Sequence, residues 1–341
     1  MTKKTATRGA LAIGLLAAAA AAALCAVAPT DMAMDDNQPL DLDADQCPQT
    51  EAIVRDAVLA AIRSNNQLTA GLLRVFFHDC FLQGCDASVF LPGERNAVPN
   101  LSLQQPALDL IEDIRRQVHA ACGGPKVSCA DILALATRDA VVAAGVPRYE
   151  VHRHRMDRRQ AASNVFDLPA PTDNVTQMLG KFKRQGLDNA ADLVTLSGGH
   201  TIGKAGCGNI RNNDAFSSNI RATCAASRDK KQNLDVITPD KFDNKYFVAL
   251  KEGHGVLFSD QVLAQDANTR ALVDTYAKDE RRFLEDFAAS MKRLGSLKGR
   301  PEDQGKPVEI RFNCFRTNPS IELNTAVDDA VTVDEGLAAS A

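Results

Sequence analysis

The chain has little of what marks the simpler alternatives. Its 341 residues hold 43 acidic and 39 basic side chains, for a formal net charge of −4. Without an excess of positive charge it has no field to gather nucleic acid or an anionic membrane surface. Gly and Pro, at 21 and 14, stay in the ordinary globular range, which sets aside collagen-like and low-complexity chains. No stretch repeats at a fixed period, so no repeat architecture is expected. Alternating strand patterns are scarce, and the one candidate runs from Tyr149 to His152. Beyond residue 28 no apolar run is long enough to span a bilayer. What is left is 45% hydrophobic and 24% charged, and long enough to bury a core without staples.

What is present begins at the N-terminus. Lys3, Lys4 and Arg8 precede an Ala-rich apolar run from Gly9 to Ala28, and Ala26-Val27-Ala28 fits a small-x-small cleavage pattern. Residues 1–28 read as a secretory signal peptide, and the acidic stretch 29–46 as a lead-in. An uncleaved anchor is the competing reading, because such a run can span a bilayer. There are nine cysteines. Cys25 falls in the leader; Cys47, Cys80, Cys85, Cys122, Cys129, Cys207, Cys224 and Cys314 remain. An even number after export reads as four disulfides, and spacing alone leaves all 105 pairings open. A reduced intracellular chain with scattered thiols is the alternative.

From Thr50 the pattern turns helical. Ile53, Val54, Ala57, Val58, Ala61 and Ile62 recur at helical spacing with charges between them. Further runs cover 72–81, 108–118, 131–144, 190–196, 242–251 and 283–294, and Leu91-Pro92-Gly93 and Leu168-Pro169-Ala170-Pro171 break the series. The fold class expected is mainly α with little β structure.

One segment of these runs carries chemistry. Arg74 and His78 are four residues apart, so on a helix they share a face, with Phe77 beside them. A base and a permanent cation aimed at one spot suit heterolysis of a polar O–O bond. The base moves the proton and the guanidinium steadies the developing charge. Alone, the pair reads more readily as a surface pair on an amphipathic helix. A zinc site of His78, Cys80 and Cys85 is another reading, with a spacing unlike the usual zinc modules.

The continuation narrows the choice. Asp79-Cys80-Phe81-Leu82-Gln83-Gly84-Cys85-Asp86-Ala87-Ser88 and Asp192-Leu193-Val194-Thr195-Leu196-Ser197-Gly198-Gly199-His200-Thr201-Ile202-Gly203 resemble the distal and proximal signatures of the class III (plant secretory) haem peroxidases. The resemblance extends from Gln38 to about Asn318. It implies a haem-peroxidase domain over 47–318, built as two helical halves with one haem b between them, and a tail over 319–341 that reads as a sorting extension. Phe77, where intracellular relatives carry Trp, points to the secretory class.

The resemblance also assigns roles. His78 is implied as the distal acid/base, Arg74 as its electrostatic partner, and Asn100 as the acceptor that fixes the His78 tautomer. His200 is implied as the iron ligand, Asp260 as the carboxylate on its other nitrogen, and Pro169 as an edge of the reductant channel. Two calcium ions are implied. One would be held by Asp79, Asp86 and Ser88 with the carbonyls of Leu82 and Gly84, near Glu94. The other would be held by Thr201, Asp235, Thr238 and Asp243 with the carbonyl of Lys241. Such oxygen sets suit a hard cation, although the acidic residues taken alone also read as solvated turns. The family pairing of disulfides would be Cys47–Cys122, Cys80–Cys85, Cys129–Cys314 and Cys207–Cys224. The implied partners are hydrogen peroxide and small phenolic reductants, acting through a ferryl intermediate. The implied protein is a secreted monomer of the wall space, off the membrane once the signal is cut, or of the vacuole if the tail sorts it there. Asn174-Val175-Thr176 is the better glycosylation sequon, since Asn100 is expected to be buried. The remaining histidines, His119, His152, His154 and His254, fit no motif.

Three stretches depart from the family. The Cys207–Cys224 loop is short, and Gly208 to Asn213 carries no aromatic residue. Tyr149 to Asp157 is basic where the family is apolar and has Trp; this chain has no Trp at all. Ser102-Leu103-Gln104-Gln105-Pro106 lacks the usual Arg-Gly-Phe. These changes bear on which reductant is preferred and leave the peroxide chemistry in place.

Overall fold

The computed structural model describes residues 47–299 and 305–319. The expected signal peptide, the lead-in 29–46 and all but the first residue of the tail 319–341 lie outside the described residues. Among the described residues there are twelve α-helices and four short strands.

Helices α1 (Thr50–Ser64), α2 (Gln67–Gln83), α4 (Gln105–Ala121) and α5 (Cys129–Ala143) form one group, in which α5 packs against the other three. α1 buries Val54 and Val58, one turn apart, and leaves its charges outside. α2 and α5 are apolar on most sides and are buried on most sides, as that pattern requires. Ser128 caps α5 by accepting from the backbone N–H of Asp131, satisfying one of the free donors at its start. The short α3 (Pro92–Arg95) follows α2.

Helices α7 (Ala190–Ser197), α9 (Lys245–Lys251), α11 (Arg270–Lys278) and α12 (Glu280–Leu294) form a second group. An aromatic cluster of Phe242, Tyr246, Phe247, Tyr276, Phe283 and Phe287 holds it together. Gly198 sits under that cluster, where an added Cβ would come 2.8 Å from Phe247 Cζ and still closer to Phe283; no side chain fits there. α12 also touches α2, and α6 (Val175–Arg184) packs on α7. The remaining helices are α8 (Ala215–Ala226) and the four-residue α10 (Phe258–Gln261).

The helical runs expected from the sequence all appear, with α9 beginning at Lys245 rather than at 242. The strand candidate Tyr149–His152 is not a strand. Beyond it, the amides of His154 and Arg155 bond to the Asp131 carboxylate, so the backbone there is satisfied without a ladder. The strand comes later: β1 (Asp157–Arg158) pairs antiparallel with β4 (Val308–Glu309), and β2 (Lys204–Gly206) with β3 (Lys231–Asn233). Disulfides join Cys47 to Cys122, Cys80 to Cys85, Cys129 to Cys314 and Cys207 to Cys224. The third closes a separation of 185 residues and fixes the C-terminal segment to the start of α5. There the fully buried Arg311 donates to the carbonyls of Ala87 and Cys314.

Candidate active site

α2 presents Arg74 and His78 from successive turns. Asn100, 1% exposed, lies on the short helical turn after α3. Its amide nitrogen donates to the Glu94 carbonyl at 2.9 Å. A carbonyl only accepts, so the Asn100 oxygen must face His78, whose Nδ1 lies 2.6 Å away. Nδ1 therefore carries the proton and Nε2 carries a bare lone pair. Arg74 Nε points at that lone pair from 3.3 Å. Burial and, after it, the Arg74 charge push the His78 pKa down to about 3, against the opposing Asn100 bond. His78 is a neutral base over the whole ordinary pH range.

Arg74 is held as well as charged. Its guanidinium donates to the Ser102 carbonyl and the Ser102 hydroxyl, each at 2.9 Å, and to the Pro99 carbonyl at 3.3 Å. In the sequence Ser102 stands out only as the start of a stretch that departs from the family, and nothing there assigns it to Arg74. Phe77 stacks on Phe81 at 4.9 Å and meets His78 edge-on at 6.4 Å.

The second histidine sits past the end of α7. His200 Nδ1 lies 2.8 Å from Asp260 Oδ1. A carboxylate accepts, so Nδ1 again carries the proton and Nε2 is free to coordinate a metal. Burial lowers the pKa of this ring, but the Asp260 charge and hydrogen bond outweigh it, and the net shift is upward. The charge of Arg74 is felt at His200 as a smaller opposing effect. α2 also packs on the proximal turn: a Cβ on Gly199 would stand 3.1 Å from the side-chain Cδ2 of Leu73. The two signatures, more than a hundred residues apart in sequence, are thus brought to one place. A bare imidazole Nε2 braced by a carboxylate, with Arg74 near enough to be felt, fits the protein half of a haem site. Asp260 accepts a second bond on the same oxygen, from the Tyr246 hydroxyl at 2.9 Å. The sequence reading missed Tyr246.

Two oxygen-rich clusters flank these histidines. On the α2 side, Asp79 accepts from the amides of Ala87 and Val89, and Asp86 from Ser88 N, Gln83 Nε2 and Arg158 Nε. Glu94 Oε2 accepts from Ala162 N, while its Oε1 is buried with no partner. Burial raises all three carboxyls, Glu94 to about 8, and Asp79 is raised further by its neighbours Asp86 and Glu94. Buried acids that repel one another and leave an oxygen unpaired suit a hard cation. After His200, the Thr201 hydroxyl donates to Asp235 at 3.3 Å, and the Thr238 hydroxyl reaches Asp235 at 3.2 Å and Asp243 at 3.0 Å. Asp243 Oδ2 is buried without a hydrogen-bond partner. No cluster of three or more His, Cys, Asp or Glu forms a metal cage among the described residues; both candidate sets rely on hydroxyl and carbonyl oxygens as well.

Pro169 is half-buried. Its stretch is tied to the proximal side through Ser259 N, which donates to the Pro171 carbonyl at 3.0 Å. In the short disulfide loop Phe216 is the aromatic residue, held by His254 at 4.4 Å between ring centres. Asn174 is exposed and caps α6 through Oδ1, whereas Asn100 is buried in the sense expected of it. His119 is a satisfied core residue, bonded to the Val127 carbonyl; His152 is exposed and His254 is half-buried.

Residues 54–279 match the family model described as Peroxidase. The chain is 44% identical over 292 residues to cationic peroxidase SPC4 of Sorghum bicolor, covering 80% of each chain. It is 40% identical over 310 residues to Peroxidase 12 of Arabidopsis thaliana, covering 84% of this chain and 85% of that one. It is also 40% identical over 300 residues to Peroxidase 40 of the same plant, covering 80% and 83%.

Proposed function

The chain belongs to the class III (plant secretory) haem peroxidase family, and from that premise we propose that it reduces hydrogen peroxide at a His78–Arg74 centre at the expense of small phenolic donors. The observation that carries the reading is the tautomer of His78. The chain Glu94 carbonyl, Asn100 amide and Nδ1–H leaves Nε2 as a bare base beside a fixed cation.

His200 Nε2 would hold the haem iron, and the haem would supply the electrons for O–O cleavage, with a donor replacing them one at a time. The chain's own groups do the rest. Peroxide displaces Arg74 Nε from the His78 lone pair and gives Nε2 its proton. His78 returns that proton to the departing oxygen, which leaves as water. Arg74 steadies the negative charge in between, and Ser102 keeps its guanidinium on station. Asp260 holds the Nδ1 proton of His200 and makes that ring a stronger donor. Phe77 walls the distal side, and Pro169 edges the path of the donor.

The reading includes one calcium ion at Asp79, Asp86 and Ser88 with the carbonyls of Leu82 and Gly84. A second is held at Thr201, Asp235, Thr238 and Asp243 with the Lys241 carbonyl. The buried Glu94 Oε1, which has no hydrogen-bond partner, supports the first, and the buried Asp243 Oδ2, which meets only the Lys241 ammonium at 3.4 Å, supports the second. It also includes export after cleavage near residue 28, action as a monomer in the wall space or vacuole, and a glycan at Asn174. No helix among the described residues is long and apolar enough to cross a membrane.

The test is stopped-flow absorption of the haem- and calcium-loaded protein mixed with one equivalent of peroxide. A fast loss of Soret intensity, restored by a phenol, is expected. A Soret band that ignores peroxide would leave a haem carrier without turnover. Chelation should lower Tm in the same preparation, since a ligand at a hundred times its Kd stabilises by about 2.7 kcal/mol; an unchanged Tm removes the calcium part.

A further inference from the structure

Tyr246 is 1% exposed and donates its hydroxyl to Asp260 Oδ1 at 2.9 Å. That oxygen is the one His200 Nδ1 uses at 2.8 Å. The other oxygen, Oδ2, is buried and has no partner. A buried phenol needs an acceptor. Bonding to Oδ2 would meet that need and would also spare a buried orphan oxygen. The observed arrangement instead makes two donors share one oxygen. From this geometry we propose that Tyr246 is a positioning residue for the iron ligand: its hydroxyl competes with His200 for Asp260 Oδ1 and so limits how much negative character the carboxylate passes to the imidazole.

The surroundings keep the competition permanent. The phenol pKa is raised well above its usual value by burial and then by Asp260, so the hydroxyl stays a donor at any working pH. The ring is fixed edge-on against Phe247 at 5.0 Å and against His200 at 6.2 Å between centres. It stands on α9, whose aromatic cluster also closes over Gly198, two residues before the ligand. Tyr276 provides a contrast within the same cluster. Its hydroxyl bonds to Thr195 and Asp286 and does not reach the histidine pair. The strength of a second-sphere acceptor sets the basicity of a ligating imidazole. A hydroxyl that draws on the acceptor therefore sets it from one step further out.

The inference rests on His200 being the iron ligand, and the experiment separates the two. Ferrous haem-loaded protein is examined by resonance Raman for the iron–histidine stretch and by spectroelectrochemistry for the ferric/ferrous potential. In Tyr246→Phe the stretch should move up and the potential down, because Asp260 then serves His200 alone. In Asp260→Asn both should move the other way, and adding Tyr246→Phe to that background should produce little further change. Incorporating 3-fluorotyrosine at 246, a stronger donor of nearly the same shape, should shift both readouts opposite to Phe; this arm decides the matter if the Phe variant folds poorly. Unchanged values in both substituted proteins, or the same Phe shift with Asn at 260, overturn the inference and leave the ligand assignment standing. Absence of an iron–histidine stretch in the unsubstituted protein overturns both.

Discussion

The molecule holds two histidines in the same tautomer and uses them in opposite ways. Both carry the proton on Nδ1 and leave Nε2 bare. His78 donates its Nδ1 hydrogen bond to a neutral amide oxygen, and its pKa falls to about 3 through burial and the Arg74 charge. His200 donates its own to a carboxylate, and its pKa rises although it too is buried. An imidazole that must stay a neutral base is paired with an amide and faced by a cation. The imidazole proposed to ligate iron is paired with an anion, which would make it a stronger donor. The tautomer makes both roles available, and the charge of the partner selects between them.

The difference can be broken or sharpened by substitution. The largest effect is expected from His78→Ala, which removes the proton carrier. The rate constant for peroxide in stopped flow should fall by about 10²–10⁴-fold, with the Soret spectrum of the resting protein little changed. Next comes Asp260→Asn, which gives His200 the kind of partner that His78 has. Second-sphere losses of this sort cost about 10–100-fold, seen here in peroxide turnover together with a higher ferric/ferrous potential. A normal potential in Asp260→Asn would mean the carboxylate is structural only.

Asn100→Asp makes the converse swap. In the unsubstituted protein the peroxide rate should be flat down to the region of pH 4 and fall only near 3, as His78 protonates. A carboxylate at 100 should raise that limb by about 1–3 pH units. A rate profile whose acid limb stays put would break the comparison. The stability linkage has a definite sign. The folded pKa lies below the ordinary 6.5, so this group's contribution is complete above 6.5 and is lost as pH falls from there toward 3. The smallest effect is expected from Ser102→Ala. It removes one charge-assisted bond to Arg74, worth about 1.5–3 kcal/mol at most. Arg74 keeps its carbonyl partners, so a loss nearer the lower end, about tenfold in peroxide rate, is expected, with Tm nearly unchanged.

The parts of this site differ in how they could be read. Arg74 and His78 share a helix face because a helix repeats every 3.6 residues, and the signatures around them and around His200 are continuous along the chain. Asn100 and Asp260 were placed by resemblance to a family pattern; the structure adds the distances. Ser102 and Tyr246 lie outside any continuous motif, and each acts through a partner far away in sequence, 28 residues for Ser102 and 14 for Tyr246. The helices show the same division. α6 escaped notice although Val175, Met178 and Phe182 repeat along one face and Asn174 and Gln177 form a capping box; the signal was there. α8 buries only Ser217 and Cys224, so it has no apolar stripe to find, and its capping box at Asp214 was the remaining clue. The stretch from Tyr149 to Asp157 is legible in the sequence only as a basic departure from the family. In the fold Arg155 reaches inward to Asp131 at 3.0 Å and the Gly295 carbonyl at 2.6 Å.

By itself the sequence determined the helical class, the even set of cysteines beyond the leader, and the identity and spacing of the proposed base, cation and metal-ligating imidazole, because periodicity and contiguous motifs are local. Only the tertiary structure decided which carboxylate oxygen two buried donors share, which hydroxyl steadies Arg74, and why two histidines of one tautomer have opposite pKa shifts. Those are matters of burial and of charges brought together across the fold, and a linear chain does not carry that distance.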